Sequence, residues 1–229
     1  MPLAILTALG AAPIGGAAWA QSAAQETMPI VDFDLRHKAC LEKIAQDADT
    51  AYEEAMIWQG DGGGRRARHC VAMSLFALGH ADEAAFRLEK LAKAPDGGTP
   101  AMRADFYVES ANLWLEAGLP RKAYDAASAG LKLVKSDADL RIVRARSYAA
   151  MERWDYAETD LSSALTFNPD HARALRYRAD ARLRQGKLEQ ARQDIDSALK
   201  IDGKDIDSLL VRGKINEAMR LEKLKTSAP

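Results

Sequence analysis

The sequence predicts an all-α protein built as an array of stacked helical hairpins, closed by a single helix. The first observation is a period. Residues 138–205 are one pattern written twice, so that a shift of 34 places Arg144-Ala145 on Arg178-Ala179, Asp160 on Asp194 and Ser163-Ala164-Leu165 on Ser197-Ala198-Leu199. The second is a set of small-residue columns: Ala72, Ala111, Ala145, Ala179 and Gly213 in the first helix of each unit, Ala84, Ala123, Ala157 and Ala191 in the second. Two helices folded into a tight hairpin must approach closely at such points, while larger apolar residues three and four places on fill the groove to the next hairpin. The third is the turn column, Gly79, Gly118 and Gly186, with Glu152 in the same place of the third unit; glycine there suits a left-handed residue closing a helix C-terminus.

The chain has 229 residues, 48% hydrophobic and 28% charged, with net charge -1. That composition can bury a core, and it supplies no global charge for steering nucleic acid or anionic membrane. Residues 1–20, MPLAILTALGAAPIGGAAWA, carry no charged side chain and end in Ala18-Trp19-Ala20. They read as a secretory signal cleaved after Ala20, although no Lys or Arg precedes the apolar run. The expected location is a bacterial periplasm, with no membrane insertion after cleavage, since no later apolar stretch approaches about 20 residues. Residues 21–34 lack helical period and read as a flexible leader.

Residues 35–64 carry a helical stripe of Leu41, Ile44, Ala45, Ala51, Ala55 and Met56 and read as a pair of capping helices. Four hairpins follow at 65–98, 104–137, 138–171 and 172–205, with PDGGTPAM lengthening the first link. Residues 206–229 read as a closing helix and tail, because a terminal unit of a stacked array needs a polar outer face.

These columns resemble the tetratricopeptide repeat (TPR), most closely over 138–168 and 172–201 and more loosely over 104–134 and 65–94. The resemblance implies a TPR helical-hairpin solenoid that binds peptides or proteins and is not an enzyme. Many repeats of the family carry Arg and Asp in the columns occupied here by Arg144, Arg178 and Arg212 and by Asp160 and Asp194. We read these as structural ion pairs, because a partly buried guanidinium needs a partner; pairing within a repeat and pairing to the next are both open. Some members hold a C-terminal carboxylate with a Lys/Asn/Arg set. Only Asn112 and Arg173 resemble that set, while Val108, Val143 and Tyr177 depart from it, so that specificity is not carried over.

Cys40 and Cys70 are the only cysteines. In an exported chain they favour one disulfide, closing a loop of about 30 residues and contributing roughly 3 kcal/mol. His69 and Cys70, adjacent on a helix, point about 100° apart and could hardly hold one metal ion together. Asp61–Arg65, DGGGR, lacks the spacing of a phosphate loop. No nucleophile–base pair, paired carboxylates or cofactor fingerprint lies at diagnostic spacing, so neither cofactor nor metal is expected.

The inner face should be lined by the first helices: His69, Met73 and Phe76; Val108, Asn112 and Leu115; Ile142, Arg146 and Ala149; Arg176, Asp180 and Leu183; Leu210 and Lys214. This predicts a groove apolar in its N-terminal half and basic later, where Arg146, Arg173, Arg176 and Arg184 can gather. Arg forks suit carboxylates, so the expected partner is a protein or acidic peptide. A solvated arginine face is the plainer reading of the same residues. The other functional expectation is a structural envelope protein that self-associates through its terminal helices.

Overall fold

The computed structural model describes residues 32–96 and 98–226. The expected signal and nearly all of the leader lie outside them. The described residues form eleven α-helices and no strand: α1 (Phe33–Ile44), α2 (Ala48–Gly60), α3 (Gly64–Ala77), α4 (Ala81–Lys93), α5 (Pro100–Glu116), α6 (Pro120–Leu133), α7 (Ala138–Ala150), α8 (Trp154–Phe167), α9 (Ala172–Arg184), α10 (Leu188–Ile201) and α11 (Ile206–Thr226). Each helix packs on the next, and α1 touches α3, α5 touches α7, α7 touches α9 and α9 touches α11. With His69 of α3 bonded to Glu109 of α5, the odd-numbered helices form one continuous face.

Two boundaries fall earlier than the sequence pattern suggests. Helix α1 begins at Phe33 because the Asp32 side chain accepts from the Asp34 and Leu35 amides, taking the end of the expected leader into a helix. Helix α5 begins at Pro100, inside the expected link, because Thr99 accepts from the Met102 amide and proline tolerates the first helical position.

The small-residue columns are the tightest parts of the core. Ala72, Ala111, Ala145 and Ala179 are fully buried, as are Ala84, Ala123, Ala157 and Ala191. Burial divides into two clusters: the first runs from Ala55 to Val143, and the second, beginning with Ile142 and Ala145, runs to Ile215.

The four repeat turns share one hydrogen-bond pattern. The amides of His80, Leu119, Arg153 and Lys187 donate back to the carbonyls of Leu75, Trp114, Tyr148 and Arg182 at 2.8–2.9 Å. This six-residue closure needs a left-handed residue at the turn. Gly79, Gly118 and Gly186 supply it with φ of 88°, 71° and 74°, and Glu152 adopts φ 58°. A Cβ in that region is strained by roughly 1–2 kcal/mol. Glu152→Gly should therefore stabilise the fold by about 0.5–1 kcal/mol after the added unfolded-chain freedom of glycine is subtracted. Urea denaturation reads this, and a less stable variant would contradict it.

The Arg and Asp columns pair within each repeat. Arg144 donates from Nε and Nη2 to the two oxygens of Asp160, both at 2.7 Å. Arg178 repeats the fork on Asp194 at 2.9 and 2.7 Å. Asp160 and Asp194 are only 5% exposed. Arg182 occupies a column where the other repeats carry a large apolar side chain; it adds a third donor to Asp194 at 2.8 Å and reaches Glu158 at 2.8 Å.

The expected pairing of Arg212 is not formed: it has no ion-pair partner among the described residues. The reason is geometric. Each pair spans 16 residues, from the first helix of a hairpin into its second, and no second helix follows α11 among the described residues. Asp194 is already filled by Arg178 and Arg182.

Removing either acid strands a partly buried guanidinium. Asp160→Ala should cost about 2 kcal/mol and Asp194→Ala about 3 kcal/mol, whereas Arg212→Ala should stay within about 0.5 kcal/mol. Equal losses at all three positions would overturn the assignment.

Candidate functional site

The face of odd-numbered helices is crossed by polar contacts that run from one helix to the next. At the N-terminal end, His37 Nε2 of α1 lies 2.8 Å from His69 Nδ1 of α3, and His69 Nε2 lies 2.7 Å from a Glu109 oxygen on α5. The Phe106 ring tilts against His69 at 5.6 Å. In the middle, Arg146 of α7 donates to Asn112 of α5 at 2.5 Å and sits 5.6 Å over the Tyr177 ring of α9. At the C-terminal end, Arg176 of α9 donates to Asp205 at 3.1 Å and Asp207 at 2.6 Å, beside the start of α11.

The structure divides the sequence-predicted groove residues into two groups. Asn112, Arg146 and Arg173 meet in one cleft between α5, α7 and α9, about 230 Å³ in volume, lined also by Val108, Asp139, Ile142, Val143, His171 and Tyr177. Arg146 has amide and aromatic neighbours, and exposed Arg173 has no ion-pair partner among the described residues. His171 caps α9 by accepting from the Ala174 amide and faces Asp139 at 3.7 Å.

The other arginines are elsewhere. Arg176 is 8% exposed and neutralised by its two aspartates. The Ser208 hydroxyl and the Arg176 charge hold the Asp205 carboxyl below its usual range. Arg184 lies over Trp154 of α8, 5.4 Å from the ring centre. The expected gathering of four arginines is thus a pair, Arg146 and Arg173.

The N-terminal half is less apolar than its sequence columns suggest, because His37, His69 and Glu109 cross it. Met73 and Leu115 are half-buried against the first core and Leu183 against the second, so these side chains serve packing. Phe76 keeps 37% exposure. Sequence reasoning did not find the roles of His171, Tyr177, Glu109 and the Asp205/Asp207 pair. The signal available was local for the last of these, since Asp is a preferred residue at a helix start, and here Asp205 accepts from the Ser208 amide and hydroxyl.

No side chain of α1 is fully buried, though Cys40 and Ile44 pack partly buried against the first core. The helix is also held by contacts at its edges: Arg66 donates to Asp34 at 2.5 Å, Arg36 lies 4.8 Å over the Trp58 ring, and Cys40 is joined to Cys70 across a Cα separation of 6.3 Å. Burial, then the neighbouring His69 and Arg66, lower the His37 pKa below its ordinary 6.5. A depressed imidazole leaves the unfolded chain binding more protons, so its contribution is present above pH 6.5 and is lost as pH falls below it. Thermal unfolding of the wild type should weaken below pH 6.5 more steeply than that of His37→Gln, and identical slopes would contradict this.

Comparison with known proteins agrees with this architecture. Residues 142–206 match the tetratricopeptide repeat family. A stretch of 111 residues is 26% identical to RNA polymerase II-associated protein 3 of Xenopus laevis, covering 48% of this chain but only 17% of that relative. The first TPR domain of the human RPAP3 protein superimposes with a TM-score of 0.52 at 26% identity, over 56% of this chain and 99% of that domain. YrrB, described as a TPR protein with an unusual peptide-binding site, gives 0.60 at 15% identity over 80% of this chain and 91% of its own. The described residues form a TPR-type helical-hairpin solenoid.

Proposed function

We propose that this protein is a non-catalytic adaptor that holds an extended, acidic segment of a partner protein against the odd-numbered helices. The observation that carries this reading is the cleft between α5, α7 and α9. It combines apolar walls, Val108 and Ile142, with two guanidiniums that form no ion pair among the described residues, the lining carboxylate of Asp139 facing His171 instead. Arg176 on the same face, by contrast, is already satisfied by Asp205 and Asp207. A charge left unpaired at the mouth of a preformed cleft is available to a ligand carboxylate, and Arg presents the planar fork that such a group fits. Phe76 extends the contact surface as an apolar anchor toward the N-terminal end. The adaptor works in the periplasm; the charge-free N-terminal segment ending at Ala20 and the joined pair Cys40 and Cys70 support that location.

The test is cross-linking capture from an envelope extract by the wild type and by the double variant Arg146→Glu, Arg173→Glu, with helicity checked by circular dichroism. Capture by the wild type and a loss of about tenfold or more in the variant is expected, the size of a lost charge-assisted contact. Equal capture by both proteins would place binding elsewhere and overturn the reading. Arg176→Glu belongs outside this test, since it breaks an internal ion pair and lowers stability.

A further inference from the structure

Helix α11 is half of a hairpin. It aligns by the repeat period with α7 and α9, the first helices of their hairpins, so Leu209, Arg212 and Gly213 stand in the columns of Leu175, Arg178 and Ala179. In α9 those residues face α10: Ala179 is fully buried, Leu175 is 7% exposed and Arg178 forks onto Asp194. In α11 the same face is open. Leu209 is 37% exposed, a Cβ added at Gly213 would meet nothing within 4 Å, and Arg212 has no hydrogen-bond or ion-pair partner among the described residues.

None of the described residues fills this face. The turn column that holds Gly79, Gly118 and Gly186 falls next at Arg220, yet α11 continues as helix through that position to Thr226. Its opposite side is satisfied: Ser208, Val211 and Ile215 are buried, with Val211 and Ile215 in the second core.

We infer that this face is a docking site for one amphipathic helix of a partner protein, bound as a second helix of the repeat would be. The chain states the chemistry of the occupant twice. Helix α8 presents Ala157, Asp160, Leu161 and Ala164, and α10 presents Ala191, Asp194, Ile195 and Ala198, all buried. The fitting helix carries a small residue, an Asp three places on, a branched aliphatic next to it and a second small residue three further. The carboxylate forks onto Arg212, the small residue lies over Gly213, and the aliphatic packs by Leu209. Charge complementarity selects this occupant, because Arg212 is the one member of its column without its acid. The inference is independent of the cleft between α5, α7 and α9, since it involves the other side of the odd-numbered helices and a helical ligand.

The experiment uses the full chain and a fluorescent synthetic peptide with the sequence of residues 186–201, stapled on its solvent face so that it is helical before binding. Saturable binding is expected. Arg212→Ala in the protein, or Asp194→Ala in the peptide, should weaken it about tenfold or more, and Gly213→Leu should abolish it. Gly213→Leu fills open space on a helix surface and favours helix, so its folding serves as the control. Recovery of affinity when Arg212→Asp protein meets Asp194→Arg peptide would fix the contact. Absence of saturable binding would overturn the inference. Binding indifferent to Arg212→Ala and Gly213→Leu would also overturn it, because the peptide would then be replacing the resident α10. So would a dimer in sedimentation equilibrium that Gly213→Leu disrupts, because a second copy would own the face.

Discussion

The close approach of the two helices of each hairpin is the constraint on which everything else depends. It is set where both helices carry alanine: Ala145 and Ala157 in one repeat, Ala179 and Ala191 in the next, all fully buried in one core. A larger side chain there would push the helices apart, and interiors packed to crystal density do not absorb that. The same short distance lets Arg144 and Arg178 reach across their own hairpin to Asp160 and Asp194. It also dictates the tight six-residue turn, so strongly that Glu152 takes a left-handed conformation.

With the hairpins fixed, the odd-numbered helices form a face whose register is locked by side chains passing from helix to helix. Two of these crossings are internally balanced, His37 to His69 to Glu109 and Arg176 to Asp205 and Asp207. The middle crossing is not. Arg146 rests on an amide and an aromatic ring, and Arg173 has no ion-pair partner among the described residues, so the cleft they share retains unneutralised guanidinium charge. The terminal elements differ in kind. Helix α1 buries no side chain fully and is held by the Cys40–Cys70 link, the half-buried Ile44 and edge contacts, while α11 buries one side and leaves the other uncovered.

The fold was legible because its cause is periodic. A column such as Ala111, Ala145 and Ala179 repeats a packing requirement, and repetition survives the variation at single positions. The Arg–Asp columns were legible as pairs, but not in direction, since Asp160 lies one helix from both Arg144 and Arg178 and only the three-dimensional hairpin decides between them. Arg212 carried the same letter as its column mates but lacked the helix that completes the pair. The groove was the hardest part to read. A helical column says which way a side chain points, not what it meets: Arg176 shares a face with Arg146 yet is neutralised from the start of α11, Met73, Leu115 and Leu183 turn into the cores, and Arg184 lies on Trp154. Those outcomes depend on residues about 30 positions away in sequence.

Recognition is assigned to the cleft shared by Arg146 and Arg173, which form no ion pair among the described residues. Its most direct test is amide and arginine side-chain NMR of the full chain titrated with a disordered acidic peptide. The account predicts saturable shifts confined to α5, α7 and α9, with the Arg146 and Arg173 guanidinium signals among the largest and the Arg176 signal unmoved. Shifts centred on α1 or α11, or an Arg176 signal that moves with Arg173, would contradict it.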